Sequence, residues 1–412
     1  MTVVTASDIV LGGGLPSYTT VGSTVPVSLT WEKSTTYDLG LDLDFLNNRL
    51  SFSGDYYRRY TTDMYTPSIS LPSVYGTTSP KGNNAELRTT GWELSFTWRD
   101  SFKLGGKPFD YSIKAMVWDN RTVVTKYENA TRSLGTLKGY IQNGGSPSDF
   151  YEGMELGEMW GYTVAGLFRD QADIDSSATH DFTQASDKVT RPGQVKIADL
   201  DHNGNIDPGA FTADDHGDLS IIGNINPHYM FGVNLAANWN GIGLSVFLQG
   251  VMKRDWYPSP DSGYFWGKYA RPFMWVLGIH NYTDDMYSEE KNNWDTAYWP
   301  RMTTYQSNSS YSWTKLLEIP NTRYKQNAAY LRVKNIQVDY TFPKALCQKI
   351  RLGGLKIYLS GENLFTFTPL HKYAPNFDPE ALGYDTDFSS TAGDGYTYPV
   401  LKSVTLGVNI TF

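Results

Sequence analysis

The run Asp199–Asp207 has residue types and spacing that could hold a metal ion. Side-chain oxygens fall at its first, third, fifth and ninth places, and Gly204 takes the sixth place. Calcium loops of the EF-hand type use oxygen ligands in this pattern, need glycine for a sharp turn, and take a backbone carbonyl from the seventh place. The spacing therefore predicts a Ca²⁺ site with the ligands Asp199, Asp201, Asn203, Asn205 and Asp207.

The predicted loop departs from the EF-hand pattern at its twelfth place. Ala210 stands where a bidentate glutamate is expected. The insertion Pro208–Gly217 follows, and we expect Asp218, directly after it, to supply the missing carboxylate. Turns rich in Asp and Asn also form without any metal. The alternative is therefore a turn that only its own hydrogen bonds stabilise.

The segment 256–327 is a second concentration of residues that could bind a ligand. It is dense in aromatic side chains, and flat rings that face a cavity can stack on sugars or contact a protein partner. The alternative is that these rings pack against one another within the segment. Four tryptophans are the candidates for binding substrate or partner: Trp266, Trp275, Trp294 and Trp299.

The sequence has no comparable pattern for catalysis. Its six histidines are scattered and lack metal-ligand spacing: His180, His202, His216, His228, His280 and His371. A nucleophile elbow of the G-x-S-x-G type does not occur. The acid pairs Asp214-Asp215 and Asp284-Asp285 are typical of solvated loops. We therefore predict that the protein is not an enzyme.

Composition restricts the class of protein. No apolar run of the chain approaches the ~20 residues that a membrane helix needs, which excludes a helical membrane protein. The mean hydropathy of −0.41 remains compatible with a transmembrane β-barrel, because barrel strands alternate apolar and polar residues. A net charge of −8 without a basic stripe argues against nucleic-acid binding. The single cysteine, Cys347, permits no internal disulfide.

The first residues carry no secretion signal. Met1–Ala6 has neither a basic region nor an apolar core of the signal-peptide kind. A transmembrane β-barrel of a bacterial outer membrane has to be exported, so on that interpretation we expect the 412-residue chain to be a fragment of a longer protein.

Strict alternation of apolar and polar residues dominates the rest of the chain. In the last such stretch Val404, Leu406, Val408 and Ile410 share one face, while Ser403, Thr405 and Asn409 share the other. Period-2 alternation is typical of strands that contact an apolar phase on one side only. We predict nine strands, near 36–45, 49–64, 86–100, 108–127, 229–239, 241–255, 328–341, 354–366 and 401–412. Aromatic residues at strand ends suggest interfacial girdles: Phe45, Trp98, Trp239 and Phe412.

The connections between the predicted strands alternate between short and long. The short ones are 46–48, 101–107, 240–241 and 342–353, and the long ones are 65–85, 128–228, 256–327 and 367–400. This asymmetry is typical of periplasmic turns and extracellular loops in outer-membrane barrels. The alternative is a soluble β-sandwich or propeller, which rarely has connections of this length. Nine is an odd count for a complete bacterial barrel, and the fragment interpretation explains it.

Several motifs resemble the SusC-like (RagA/SusC) family of TonB-dependent transporters, in that family's order. The first is Trp31-Glu32-Lys33-Ser34-Thr35-Thr36-Tyr37 followed by Gly40-Leu41-Asp42. The others are Gly91-Trp92-Glu93-Leu94, Trp98-Arg99-Asp100, Asp199–Asp207 with Ile221-Ile222-Gly223-Asn224, Tyr330–Asn335, Tyr340–Lys344, Gly361–Thr366 and Leu406–Phe412. The resemblance covers nearly the whole chain.

The resemblance implies a fold and a function. It implies a transmembrane antiparallel barrel of about 22 strands, of which residues 1–412 form the C-terminal portion with about nine to ten strands. The N-terminal plug and the segment that contacts the TonB complex lie upstream. It further implies import of an oligosaccharide or peptide across the outer membrane of a Gram-negative, Bacteroidetes-like cell, with a SusD-like surface lipoprotein as partner. A non-transporting outer-membrane adhesin or receptor, and a barrel enzyme, remain alternatives.

Overall fold

The computed structural model describes residues 2–5, 17–20, 29–67, 81–134, 150–180, 190–258, 265, 285–301, 320–382 and 399–412. Antiparallel strands account for most of its regular structure. The first ten are β1 Thr2–Thr5, β2 Ser17–Thr20, β3 Lys33–Phe45, β4 Leu50–Pro67, β5 Lys81–Leu104, β6 Lys107–Lys126, β7 Glu158–Tyr162, β8 Val164–Leu167, β9 Val195–Ile197 and β10 Leu219–Asn224. The other seven are β11 His228–Trp239, β12 Ile242–Lys253, β13 Asp255–Trp256, β14 Gln326–Asn327, β15 Tyr330–Thr341, β16 Gly354–Phe367 and β17 Ser403–Thr411.

Helices are few and short. Those with described bounds are α1 Gln171–Asp175, α2 Lys344–Lys349 and the 3₁₀ turn Pro369–Lys372. No helix within the described ranges combines the length and the apolar character that crossing a membrane requires.

One nine-stranded sheet contains all nine predicted strands. Its order is β17-β16-β15-β12-β11-β6-β5-β4-β3, so each strand pairs antiparallel with its nearest sheet strand along the chain. The predicted alternation of short and long connections is confirmed: turns at 46–49, 105–106, 240–241 and 342–353 alternate with long segments. An antiparallel barrel wall is therefore the correct fold class.

The structure corrects some predicted boundaries. β5 and β6 pair as far as Leu104 and Lys107, so the predicted turn 101–107 shrinks to Gly105-Gly106. Both glycines have positive φ, 60° and 78°, as a tight hairpin turn that matches strand twist requires. Trp98 consequently lies inside β5 and not at its end.

The sheet exposes its apolar face. Val404 and Leu406 are 69% and 73% exposed, and they pair with Gly361 and Leu359 of β16. One row of paired residues crosses the entire sheet on this face: Phe45, Leu50, Trp98, Ile113, Leu235, Val246, Ile336, Gly361 and Val404. No second sheet of the described ranges packs on this face. The β-sandwich alternative, which needs such a sheet, is therefore wrong.

Aromatic side chains gather on the apolar face near the short turns. Phe102 and Phe109 lie 5.0 Å apart between ring centroids, and Tyr340 and Phe342 lie 4.9 Å apart. The indole of Trp239 donates to the Leu104 carbonyl at 3.0 Å. Tyrosine and tryptophan are enriched where one end of a side chain is apolar and the other is wet.

The long connections fold together at the other end of the sheet. We call the described residues of three of them the loop head: 127–134, 150–180, 190–227, 254–258, 265, 285–301, 320–329 and 368–382. Small antiparallel sheets form within it, pairing β7 with β10, β8 with β9, and β13 with β14. One continuous hydrophobic core links the three connections, and it includes Tyr162, Leu219, Trp256, Trp299, Tyr324 and Phe377.

Candidate functional site

Backbone hydrogen bonds join the two longest connections of the loop head. The N–H of Tyr162 donates to the Pro320 carbonyl at 2.9 Å, and the N–H of Thr322 donates back to Tyr162 at 3.1 Å. Farther along, the N–H of Arg301 donates to the Gly193 carbonyl at 2.7 Å. The two connections therefore lie side by side. They form one folded unit and not separate loops.

Trp299 lies in the core of the loop head. It is 1% exposed, with its ring centroid 5.4 Å from that of Phe265 and 5.6 Å from that of Tyr324. A ring this buried cannot stack on a substrate. The interpretation of Trp299 as a direct binding residue is therefore wrong, and the packing alternative holds at this position.

The other three tryptophan candidates have different outcomes. Trp294 is half-buried and packs against the core with part of its ring still accessible. Trp266 and Trp275 lie outside the described residues, so their role stays a prediction. Trp294 is therefore the one candidate in the described part of the chain whose ring could meet a ligand.

A buried cluster of charges fastens the segment 368–382 of the loop head to the barrel wall. Arg332 of β15 is 2% exposed, and its guanidinium donates to Asp378 at 2.5 Å, to Glu380, and to the Thr366 hydroxyl at 2.9 Å. Lys334 donates to the Glu380 carboxylate at 2.8 Å. Burial alone would raise the pKa of Asp378, but the bonds from the Glu380 backbone and from Arg332 hold that pKa below its ordinary value. We call residues 378–382 with this cluster the inner strap.

Arg254, directly after β12, fixes the strap through its backbone. Its guanidinium donates to the Pro379 carbonyl at 2.7 Å and to the Leu382 carbonyl at 2.9 Å. Arg254 itself is buried. Charged donors form the stronger class of hydrogen bond. The strap is therefore held across β12, β15 and β16 together.

A second buried contact joins the head to β6. The Nδ1 atom of His228 lies 2.8 Å from the Asp119 carboxylate, and its Nε2 atom lies 3.5 Å from Glu155. Both His228 and Asp119 are buried. Because Asp119 belongs to the wall and Glu155 to the head, the imidazole bridges the two parts.

The predicted calcium loop brings three carboxylates together. One oxygen each from Asp199, Asp201 and Asp218 lies within 4.8 Å of the others. Asp218 is fully buried, and it accepts from the N–H of Leu200 at 2.6 Å and from that of Asp207 at 2.9 Å. Burial raises the pKa of the Asp218 carboxyl, and the neighbouring Asp201 and Asp199 raise it further. Asp218, 11 residues after Asp207, thus adds its carboxylate to this cluster, and its role as a ligand stays a prediction.

The remaining predicted ligands shape the loop through their own hydrogen bonds. The Asn203 amide donates to Asp201 at 2.9 Å and to Asp207 at 3.3 Å, while its carbonyl oxygen accepts from the N–H of Asn205 at 2.7 Å. Gly204 adopts a φ of +84°, which its predicted place in the turn requires. The Asn203 side chain therefore makes several of the hydrogen bonds that shape the turn, as in the metal-free alternative.

One oxygen of Asp199 distinguishes this loop from an ordinary turn. Its Oδ2 accepts from the N–H of Gly204 at 3.0 Å, whereas its Oδ1 is buried with no hydrogen-bond partner among the described residues. A buried carboxylate oxygen without a partner is costly. Three converging carboxylates fit a hard cation such as Ca²⁺. The residues present therefore fit the ion, and the ligand roles themselves stay predictions.

His180 supports the loop from behind. The N–H of its neighbour Thr179 donates to the Gly204 carbonyl at 2.8 Å, and the His180 Nε2 atom accepts from the N–H of Ile197 at 2.8 Å. Burial lowers the pKa of His180 to about 4. A neutral imidazole suits this role, because an unprotonated Nε2 can accept the hydrogen bond from the N–H of Ile197.

We expect Ca²⁺ to stabilise the loop head. Ligand at a hundred times its Kd stabilises a folded state by about 2.7 kcal/mol. Asp201→Asn removes one of the three clustered carboxylate charges while preserving the side-chain shape. Most of this stabilisation is therefore expected to disappear. The measurement is thermal unfolding of the head by tryptophan fluorescence, with calcium and with a chelator. Asp175→Asn, in exposed α1, is the matched control. If the parent protein melts at the same temperature in calcium and in chelator, the loop is a turn without a metal.

The polar face of the sheet carries two grooves. One of about 520 Å³ lies near the short turns, between Arg49, Arg99 and Asn238. The other, of about 410 Å³, is bordered by Asp55, Glu93, Lys114 and Trp118. Both are lined mainly by residues that alternate with the exposed apolar ones. A solvated path along this face can thus offer hydrogen bonds and charge of both signs.

The inner strap and the His228 bridge are buried contacts that sequence reasoning missed. Arg332 stood out only as part of a family motif, and Asp378, Glu380 and Asp119 did not stand out at all. Their sequence separations, 46 and 48 residues for the Arg332 bonds, follow no periodic pattern. A buried strand position occupied by arginine was the only signal.

Comparison with known proteins shows which β-barrel family the chain is similar to. Residues 9–192 match the family described as TonB dependent receptor-like, beta-barrel. Over 93% of the chain, the sequence is 27% identical to TonB-dependent receptor P3 of Formosa agariphila, and 34% of that protein is covered. It is 24% identical to TonB-dependent receptor SusC of Bacteroides thetaiotaomicron, over 93% of the chain and 32% of that protein. The chain thus spans about a third of the length of the curated relatives it matches.

Solved structures show the same fold. The whole chain superimposes on 38% of a chain in the structure of the RagAB peptide importer in the open-open state, with a TM-score of 0.66 and 18% identity. The structure of the RagAB peptide transporter gives a TM-score of 0.64 over the same share. At this identity the likeness establishes the fold of the sheet and its head.

Proposed function

We propose that this chain, whose nine-stranded wall is of the TonB-dependent receptor barrel type, serves TonB-dependent import of a nutrient through the outer membrane. The proposal takes residues 1–412 as the C-terminal portion of such a barrel, in a Gram-negative, Bacteroidetes-like cell. The nutrient is an oligosaccharide or a peptide. A SusD-like surface lipoprotein is the proposed partner of the loop head, and the TonB complex supplies the energy.

The observation that carries the proposal is the division of the sheet into two unlike faces. Its apolar face is exposed across all nine strands, which in water would be an aggregation hazard but in lipid is the stable arrangement. Its polar face carries the two grooves. A wall that is apolar outside and polar inside surrounds an aqueous passage.

The loop head supports a role in recognition. It is a folded unit with its own core, mounted at the end of the wall opposite the short turns. Long connections that bind ligands are usually positioned by such a rigid scaffold. A head above a passage can select what enters and can hold a partner protein.

An uptake experiment tests the proposal. A strain lacking the protein and its complemented parent are given a panel of labelled oligosaccharides and peptides, with and without a protonophore. Import predicts that at least one compound accumulates only in the complemented strain and only when the membrane is energised. Surface binding that ignores the protonophore would support an adhesin or receptor instead. Release of product by the purified barrel would support an enzyme.

The lipid-facing register is a separate prediction. Val408 is 53% exposed and pairs with Ile357, whereas its neighbour Asn409 pairs with Lys356 on the polar face. Val408→Arg is expected to cost about 2–4 kcal/mol if the residue lies near the membrane midplane. Asn409→Arg, the matched control, is expected to cost much less. Denaturant titration of the folded, heat-modifiable barrel measures both, and equal costs would contradict the register.

A further inference from the structure

The short connection between β15 and β16 differs from the other short connections. It contains α2 and spans 342–353, whereas the others are tight turns. Within it lie Lys344, Lys349 and Arg351, and it has no acidic residue, although the chain as a whole carries a net charge of −8. The nearest acid in the sequence, Asp339, is already paired with Lys356 at 3.0 Å. This connection is therefore a local concentration of positive charge.

α2 also exposes apolar side chains. Leu346 and Ile350 are 47% and 55% exposed, and their spacing of four residues places them on one side of the helical turn. Cys347 is fully buried and fixes the inner side. Pro343 precedes the helix, and the Leu346 N–H closes its first turn onto the Pro343 carbonyl at 2.9 Å. The turn is thus amphipathic, with two exposed apolar residues beside three cations.

The apolar pair continues the exposed face of the sheet. Tyr340 and Phe342, which form the ring pair at the end of β15, directly precede α2. Tyr340 is itself 39% exposed and pairs with Ile357 on the apolar face. A run of exposed apolar residues therefore passes from the wall into the helix.

We propose that α2 and its flanking residues form an interfacial foot that binds anionic phospholipid in the leaflet at the short-turn end of the barrel. Leu346 and Ile350 enter the boundary between acyl chains and head groups, and Lys344, Lys349 and Arg351 bind lipid phosphates. Amphipathic segments with cations beside apolar residues bind anionic membranes in this way. The inference rests on the proposed outer-membrane function and adds a lipid-binding surface to it.

The experiment uses the protein purified from its membrane and inserted into nanodiscs of phosphatidylcholine with or without phosphatidylglycerol. Bound lipid is counted by native mass spectrometry. The parent protein is expected to prefer phosphatidylglycerol, and the preference should weaken with added salt. The triple variant Lys344→Gln, Lys349→Gln, Arg351→Gln is expected to lose roughly fivefold in that affinity for each charge removed. The pair Leu346→Ser, Ile350→Ser should weaken binding of both lipids.

The turn between β5 and β6 provides the matched control. It has Lys103 and Lys107 beside Gly105-Gly106 but no helix, and Lys103→Gln with Lys107→Gln should leave the preference unchanged. Equal binding of both lipids by an inserted, heat-modifiable parent protein would overturn the foot alone. Failure of the parent protein to insert would overturn the membrane function as well. Protein crosslinks from position 348 that replace lipid contact would assign the surface to a protein partner and also overturn the proposal.

Discussion

Arg332→Met is expected to free the inner strap from the barrel wall at a cost of about 3–5 kcal/mol. The substitution leaves the carboxylates of Asp378 and Glu380 half-buried without the guanidinium that now bonds to both. Breaking one side of a buried ion cluster costs more than its net contribution, because the remaining charges lose their compensation. Lys334 keeps its two hydrogen bonds to Glu380, so Asp378 bears most of the loss.

Hydrogen exchange of residues 369–382 measures this release. A change of 3–5 kcal/mol in local opening corresponds to exchange faster by roughly a hundredfold to several thousandfold. Exchange in β15 and β16 should change far less, because their ladder bonds do not involve the Arg332 side chain. Arg332→Lys keeps the charge but loses the planar fork, and an intermediate rate is expected.

A neutral triple variant separates charge from shape. Arg332→Met combined with Asp378→Asn and Glu380→Gln removes all three buried charges together. Replacing a whole buried cluster is often nearly neutral, so the triple variant should exchange more slowly than the single one. If single and triple variants exchange alike, or if the single variant matches the parent protein, the strap is not held by this cluster.

The barrel wall could be predicted from sequence because its signal is local. Lipid on one side and water on the other impose strict alternation, and residues such as Val404–Ile410 display it without any knowledge of their partners. The boundary errors were local as well. Gly105-Gly106 makes a two-residue turn, but Ser101 and Lys103 have the polar character of a longer one, so the pairing beyond Asp100 was not apparent.

The loop head could not be predicted in the same way because its contacts are distant in sequence. Tyr162 bonds to Pro320 and Thr322, and Trp256 packs on Phe377, across separations that leave no periodicity. The loop Asp199–Asp207 was the exception, since its residues are close in the chain and Gly204 fixes the turn. Aromatic density alone does not separate a ring that binds sugar from a ring that fills a core. Trp294 and Trp299 lie five residues apart in the same aromatic-rich segment, yet only Trp299 is fully buried.

Trp299→Ala is expected to destabilise the loop head by about 3–5 kcal/mol, the usual cost of emptying a core position of this size. The Trp299 indole packs between Phe265 and Tyr324, and the Trp299 backbone pairs with Asp285 and Tyr287. Alanine would leave a cavity in the core of the loop head. The nine-stranded wall contains none of these residues, so we expect assembly of the barrel to proceed.

Trp294→Ala is the matched comparison in the same segment. Its ring is half-buried, so the expected loss of stability is smaller, about 1 kcal/mol. Thermal unfolding of the head gives the two values, and heat-modifiability of the barrel shows that the wall has formed. A loss at Trp299 no larger than that at Trp294 would contradict the assignment of Trp299 to the core.

Uptake then separates packing from recognition. Trp299→Phe retains much of the buried surface, so transport should survive it if the position serves only to hold the head together. Trp299→Ala should abolish transport in step with the loss of the folded head. Trp294→Ala is expected to impair transport or binding of the partner while the head stays folded, because its accessible edge is what a ligand would meet. Normal transport in Trp294→Ala would remove this ring from recognition and leave that role to residues elsewhere on the head.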